Sequence, residues 1–153
     1  MKIKISWVFT ILVGFSFSNI GFAAINTSPD QDFYARVIQA YRQGDSTVLN
    51  KSVRLLIKNY PESVHADNAL YLNGLLALSK GQYKRAIKNF VLLQKFYPQT
   101  NKFSASLVGK GIALRKLGKL EKAEKAFKTV QDKFAGSPEY FQAGVQLKLL
   151  RQE

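Results

Sequence analysis

The sequence offers few residues that could carry out acid–base or nucleophilic chemistry. It contains no cysteine, which excludes disulfides, iron–sulfur clusters, thiol catalysis and cysteine-bound zinc. His65 is the single histidine, and a catalytic histidine needs a base, a nucleophile or a metal at a defined distance. Because the sequence holds no second histidine and no cluster of metal ligands, we interpret His65 as a surface residue at a helix start.

The acidic residues are equally uninformative about catalysis, because they are scattered along the chain. Glu121 and Glu124 stand four residues before Lys125 and Lys128, which is the spacing of ion pairs on one helix face. The stretch "GKGIALRKLGK" (109–119) superficially resembles a phosphate-binding loop, but it lacks the required glycine-to-lysine-serine spacing and lies within a helical pattern. We therefore expect no catalytic residue, no metal, no cofactor and no enzymatic activity.

Composition and charge indicate a folded and strongly basic protein. Hydrophobic residues make up 46% of the 153 residues and aromatic residues 12%, which is enough for a core in one domain. The chain carries 23 Lys and Arg against 10 Asp and Glu, a formal net charge of +13. Such a charge favours anionic partners, namely nucleic acid, acidic lipid or acidic protein.

Residues 1–23 have the pattern of a secretory signal peptide: two lysines, an apolar run, then small residues before a cleavage point after Ala23. An uncleaved membrane anchor is the alternative, but the apolar run is broken by Gly14, Ser16, Ser18 and Asn19. We expect a periplasmic protein without lipid attachment, since no cysteine follows the cleavage point. Export also makes nucleic acid a poor partner.

The remainder of the chain repeats with a period of 37 residues. "KGQYKRAIKNF" (80–90) is followed at that distance by "LGKLEKAEKAF" (117–127), and the glycines at 44, 81 and 118 keep the same step. The segments "NYPES" (59–63), "FYPQT" (96–100) and "KFAGS" (133–137) do so as well. A fixed period in this range predicts stacked supersecondary units.

Each unit is predicted to contain two helices, because apolar residues recur at helical spacing on both sides of the glycine. Gly81 should end a helix at positive φ, Thr100 or Asn101 should cap the fifth helix, and Ser137 with Pro138 should open the seventh. Phe96 is expected to point inward. The predicted helices span about 31–43, 46–59, 64–79, 83–97, 101–116, 120–133 and 137–151.

Small residues are predicted to set the distance between helices. Alanine and glycine allow close approach of the two helices in a unit, and a phenylalanine fills the gap toward the next unit. A single helix pair cannot bury its apolar face, so we expect the pairs to stack into a continuous core. The residues expected to perform this packing are Gly74, Ala86, Phe90, Gly111, Ala123 and Phe127.

These residues resemble the tetratricopeptide repeat (TPR) family at Gly74, Ala77, Gly81, Tyr83, Ala86, Phe90 and Pro98. The third unit keeps Gly111, Gly118, Ala123 and Phe127, whereas the first unit is weaker. The resemblance implies an all-α, TPR-like right-handed solenoid of about three helix-turn-helix repeats plus a C-terminal capping helix, over residues 31–151 after a short segment 24–30. The turns are similar to those of periplasmic cell-division coordinators of the Tol–Pal system and, less closely, of outer-membrane assembly lipoproteins with such repeats.

The resemblance also implies a partner-binding groove lined by the first helix of each unit. Relatives that grip a terminal carboxylate use lysine and asparagine where this chain has Tyr71, Leu75, Val108 and Ile112, so we expect no carboxylate clamp. The alternative is that these residues are partly core, covered by neighbouring helices or by 24–30. The expected groove residues are Tyr34, Ile38, Tyr41, Asn68, Tyr71, Leu75, Leu78, Val108, Ile112 and Arg115.

The sequence therefore predicts a non-catalytic periplasmic adaptor that binds a protein or peptide of the cell envelope in this groove, in envelope assembly or division. A self-associating structural protein whose groove holds another copy is one alternative, and an accessory module for peptidoglycan enzymes is another.

A solvated basic face is expected on the second helices. The alternative is that this face makes weak contact with an anionic lipid surface. The residues of that face are Lys84, Arg85, Lys88, Lys119, Lys122, Lys125 and Lys128.

Overall fold

A computed structural model describes residues 28–152, and the predicted signal peptide lies outside this range. Within it the chain is all-helical, with seven helices and no strand, which confirms the predicted all-α class. The helices are α1 (Pro29–Gln43), α2 (Ser46–Asn59), α3 (Ala66–Ser79), α4 (Tyr83–Phe96), α5 (Phe103–Lys116), α6 (Leu120–Lys133) and α7 (Pro138–Leu150). Each bound lies within about two residues of its predicted position, which is the usual uncertainty of a helix end.

Glycines end the first helix of each unit in the same way. Gly44, Gly81 and Gly118 have φ of 67°, 69° and 69°, the left-handed region that glycine adopts without a Cβ clash. The residue after each glycine donates its backbone N–H to the carbonyl five residues earlier, as Gln82 does to Ala77 at 2.8 Å. The predicted helix break at Gly81 is confirmed, and it recurs at the 37-residue step.

The predicted helix starts are confirmed in part. The Ser137 hydroxyl accepts the Tyr140 N–H at 3.1 Å, with Pro138 in the first turn. The Thr100 hydroxyl accepts the Lys102 N–H at 3.1 Å, so it stabilises the turn before α5 and does not cap the helix itself. Phe96 was expected inward and is 55% exposed, because α4 ends there and its last residue lies beyond the neighbouring helices.

The helices form two layers with different contacts. Each helix packs against the next in the chain, and α1, α3, α5 and α7 also contact one another in that order. Among the helices described, the backbones of α2, α4 and α6 lie close to odd-numbered helices only, although the Arg85 side chain of α4 reaches the Ser46 carbonyl of α2. The odd helices therefore form one continuous layer, the odd layer. The even helices pack against one side of it and form the even layer.

The closest approaches between helices are made by phenylalanine rings against glycine backbones. A Cβ added to Gly74 on α3 would lie 2.5 Å from the Phe90 ring, and one added to Gly109 on α5 would lie 2.6 Å from the same ring. Phe127 stands in the same relation to Gly111, at 2.5 Å. Both rings are fully buried, and so are Ala86 and Ala123 beside them. The residues predicted to pack the repeats are thus all buried.

Polar links between units also recur at the repeat step. The Ser63 hydroxyl donates to the Asp30 carboxylate at 2.7 Å, and 37 residues later the Thr100 hydroxyl donates to the Asp67 carboxylate. The Tyr97 hydroxyl adds a bond to the Pro61 carbonyl at 2.8 Å. The turns after α2 and α4 are therefore fastened to an earlier part of the chain.

Lys110 on α5 lies in the junction between α4 and α5. Its ammonium donates to Gln94 Oε1 at 2.7 Å, and the Gln94 amide donates to the Ser106 hydroxyl at 2.9 Å. Burial lowers the pKa of Lys110 from its ordinary value of 10.5, because the charged form is poorly solvated there. The partly buried charge of Lys110 therefore lowers the stability of the folded protein somewhat.

The last helix, α7, covers α5 and α6 with one face and leaves an apolar face open. Ala143 is fully buried, whereas Phe141, Val145 and Leu149 are 64%, 56% and 38% exposed. These three residues follow one another at four-residue steps and so form one stripe. The predicted capping helix therefore closes the stack on its inner side but does not present a polar outer surface.

Gly109→Ala should destabilise the fold, because its methyl group would overlap the Phe90 ring inside a packed junction. Overpacking of this kind costs about 1–3 kcal/mol, against a gain in helix propensity of up to about 1 kcal/mol. Gly144→Ala is the matched control, since its Cβ would meet only the flexible end of Gln131 at 3.1 Å. Thermal melts should show a lower midpoint for the first variant and an equal or higher one for the second; equal midpoints for both would contradict the close approach at Phe90.

Lys110→Met should raise the melting temperature at neutral pH, because it removes a partly desolvated charge while keeping a long flexible side chain. The pKa of Lys110 is lower in the folded protein than in the unfolded chain, so between that pKa and 10.5 the unfolded chain binds more protons. The stability of the native protein therefore rises with pH across this interval. The advantage of the variant should therefore shrink as the pH approaches 10.5. Melts from pH 7 to 10.5 test this, with the exposed Lys125→Met as control; a difference that does not change with pH would refute it.

Candidate functional site

The predicted groove residues lie on the odd layer, and nine of the ten are half-buried. Val108 is the exception: it is 2% exposed and packs in the core with Phe127 and Val130, so its assignment to the groove was wrong. The groove prediction placed Val108 by register alone, but α6 covers this part of α5. The remaining nine residues are Tyr34, Ile38, Tyr41, Asn68, Tyr71, Leu75, Leu78, Ile112 and Arg115.

One end of this surface is held by a cluster of three side chains. The Tyr34 ring stacks on the His65 ring, with 4.2 Å between centroids and 4° between planes. The Asn68 amide donates to the Tyr34 hydroxyl. His65 is thus half-buried at the start of α3 and serves to position Tyr34, and α1 and α3 present a fixed aromatic face at this end.

Tyr71 lies on α3, near the middle of the odd layer. Burial raises its pKa above 10.0, and the negative charges of Glu139 on α7 and of ionised Tyr41 on α1 add to the effect. Its ring lies 6.2 Å from that of Phe90, measured between centroids. All three effects disfavour the ionised form of Tyr71.

A second surface lies on the opposite side of the protein, between α2 and α4. A pocket of about 600 Å³ opens there, with α3 at its base. Its floor is apolar, formed by Val53, Ile57, Leu70 and Leu92, and its rim is basic. The other lining residues are Asn50, Arg54, Lys58, Asn73, Arg85, Lys88 and Asn89.

Side-chain amides, two of them buried, connect the three helices around this pocket. Asn73 is 2% exposed and donates to Asn50 Oδ1 at 3.2 Å and to Asn89 Oδ1 at 3.1 Å. The Asn89 amide in turn donates to the Arg85 carbonyl at 3.0 Å. These amides satisfy one another, and so they fix the walls of the pocket.

Arg85 was expected on the solvated basic face, and that interpretation was wrong. It is half-buried, and its guanidinium donates to the Ser46 carbonyl at 2.8 Å, to Asn73 Oδ1 at 3.2 Å and to Gln82 Oε1 at 3.0 Å. Its Nε is buried without a hydrogen-bond partner. The other basic residues of the face are exposed, and Lys128 pairs with Glu124 at 2.8 Å.

Sequence reasoning missed the pocket because it compared units for what they share. The informative signal was a difference: Val53 stands where the next unit has Phe90, and Asn73 stands where it has Lys110. A smaller apolar residue and a short amide leave space that the larger pair fills. Alignment of the repeats therefore identifies the positions that differ at the pocket. The shape of the pocket depends on how three helices pack and cannot be read from that alignment.

Within residues 28–152, no group of three or more His, Cys, Asp or Glu side chains is placed to hold a metal ion. None of the seven helices in this range is long and apolar enough to cross a bilayer. The contacts and surfaces of the chain itself are therefore the basis for a functional assignment.

No protein-family model matches the chain, and no curated protein matches it significantly.

Proposed function

We propose that this chain is a TPR-like right-handed solenoid that works as a non-catalytic, exported adaptor, binding a protein or peptide of the cell envelope on its odd layer. The contact pattern supports the solenoid, because odd helices contact successive odd helices while the backbones of the even helices do not approach one another closely. The links from Ser63 to Asp30 and from Thr100 to Asp67 support the same register. Stacked repeats of this kind use the continuous layer as a binding surface.

The observation that carries the proposed site is the setting of Tyr71. It is half-buried on α3, the helix that contacts both α1 and α5, and its ring lies 6.2 Å from that of Phe90, measured between centroids. The first helices of stacked repeats form an extended concave surface, and such a surface surrounds an extended segment better than a flat face does. Half-buried tyrosines on such a surface are typical interface anchors, since they bring large contact area with little loss of side-chain entropy.

Self-association is the second candidate, and the open stripe of α7 favours it. Phe141, Val145 and Leu149 are all exposed on one face, and exposed apolar stripes on soluble proteins mark contact surfaces. Partner binding remains the first choice because the odd layer combines an apolar surface with the preformed Tyr34 cluster.

Tyr71→Ala and Leu75→Ser should each abolish capture of an envelope partner, because a few central anchors carry most of an interface's energy. A loss of about 2 kcal/mol corresponds to a roughly thirtyfold weaker complex. Tyr83→Ala is the matched control, since Tyr83 is a half-buried tyrosine on the even layer. Pull-down from envelope extract, with helix content checked by circular dichroism, measures the effect.

The same pull-down at low and high salt separates the odd layer from the basic face. Replacing Lys122, Lys125 and Lys128 with Glu should leave capture unchanged if the odd layer binds. Full capture by the Tyr71 and Leu75 variants, with salt-sensitive loss in the lysine variant, would move the site to the even layer. Light scattering on the purified protein tests the second candidate, because a stable multimer that the Tyr71 variant disrupts would show that the partner is another copy.

Export should remove residues 1–23, so the mature protein is expected to begin at Ala24 and to be recovered from the periplasmic fraction. The basis is the lysine, apolar and small-residue order of this segment. N-terminal sequencing of the protein from fractionated cells decides the point. Recovery of intact Met1 in the membrane fraction would favour the uncleaved anchor.

A further inference from the structure

The pocket between α2 and α4 arises from a difference between the two junctions of the stack. At the second junction, Phe90 fills the space between α3 and α5, with a glycine on each side. At the first junction the equivalent residue is Val53, and Leu72 stands where the second has Gly109. As a result α2 packs on α3 less extensively than α4 packs on α5, and the space remains open.

The rim of this pocket carries cations without counter-ions. Arg54, Lys58 and Lys88 are exposed, and no described acidic residue lines the pocket or pairs with them. Arg85 is held by three neutral acceptors, so its charge is not neutralised, and its Nε lacks a partner. Four cations around an apolar floor are complementary to a ligand with a negative group and an apolar body.

We propose that this pocket binds an amphiphile with an anionic head group and a single apolar chain. The head group, a phosphate or carboxylate, lies among the exposed rim cations Arg54, Lys58 and Lys88, where charge-assisted hydrogen bonds hold it. The chain lies on the floor of Val53, Ile57 and Leu92 and removes it from water. The volume of about 600 Å³ is within the range of small-molecule sites.

The amides of the pocket favour an apolar chain over a peptide. A peptide backbone would bring N–H and C=O groups into a space bounded by three helices, and each needs a partner there. Asn73 and Asn89 already bond to each other, to Asn50 and to the Arg85 segment, so they have little capacity left. An acyl chain makes no such demand, and an inorganic anion would leave the apolar floor unused.

Calorimetry of the full-length chain with decyl phosphate, below its micelle concentration, tests the proposal. We expect saturable binding of one molecule per chain, with no comparable binding of inorganic phosphate or of decyl maltoside, which has the same chain and an uncharged head. Lys58→Gln/Lys88→Gln should weaken binding roughly tenfold or more, since it removes charge-assisted hydrogen bonds to the head group. Ile57→Trp, which fills the floor, should weaken it as well.

Lys95→Gln/Lys125→Gln is the matched control, because these residues occupy the same repeat positions at the second junction and remove the same charge. It should bind decyl phosphate like the unmodified chain. Equal loss in both double variants, equal binding of decyl maltoside, or no binding of decyl phosphate would overturn the proposal. Binding of an acidic peptide that Lys58→Gln/Lys88→Gln abolishes, without binding of decyl phosphate, would also overturn it and would assign the pocket to a protein partner.

Sedimentation with phosphatidylglycerol vesicles identifies the source of the ligand. Vesicle binding that is lost in Lys58→Gln/Lys88→Gln and kept in Lys95→Gln/Lys125→Gln would show that the head group belongs to a membrane lipid. Binding of decyl phosphate without binding of vesicles would show that the ligand is a free amphiphile. Vesicle binding that both double variants weaken equally would instead reflect the general positive charge, and it would refute the pocket as a lipid site.

Discussion

The contact of one phenylalanine ring with two glycine backbones determines how the helices stack. Phe90 touches Gly74 on its own unit and Gly109 on the next, and a methyl group on either glycine would collide with the ring. The ring therefore sets the distance between α3, α4 and α5 at once. Where this arrangement is complete the ring fills the junction, and where Val53 replaces the phenylalanine the junction opens into a pocket.

The helices and their breaks could be predicted because local rules decide them. Glycine at positive φ, proline after a helix and the Ser137 cap act within a few residues, so sequence alone gave bounds close to those observed. The close approaches at Gly74 and Gly111 were also foreseeable, because small residues recur at the repeat step.

The errors concern residues whose surroundings come from distant parts of the chain. Val108 was assigned to the groove from its register, yet α6 buries it. Arg85 was assigned to solvent from its helix face, yet Ser46 and Asn73 provide acceptors that only the folded chain brings near. Phe96 has the spacing of a core residue, but it is the last residue of its helix and remains 55% exposed. Periodicity predicts the direction of a side chain, but it does not predict which residues of other helices surround that side chain.

The open face of α7 makes the colloidal behaviour of the protein depend on its charge. Stacked-helix proteins usually end in a unit whose outer side is polar, which keeps the last face from adhering to others. Here Phe141 and Val145 take that place, and repulsion between two strongly basic chains opposes their contact. That repulsion acts over about 8 Å at physiological ionic strength and shortens as salt rises. Ionic strength, rather than the fold, therefore sets how closely two such molecules approach through their last helices.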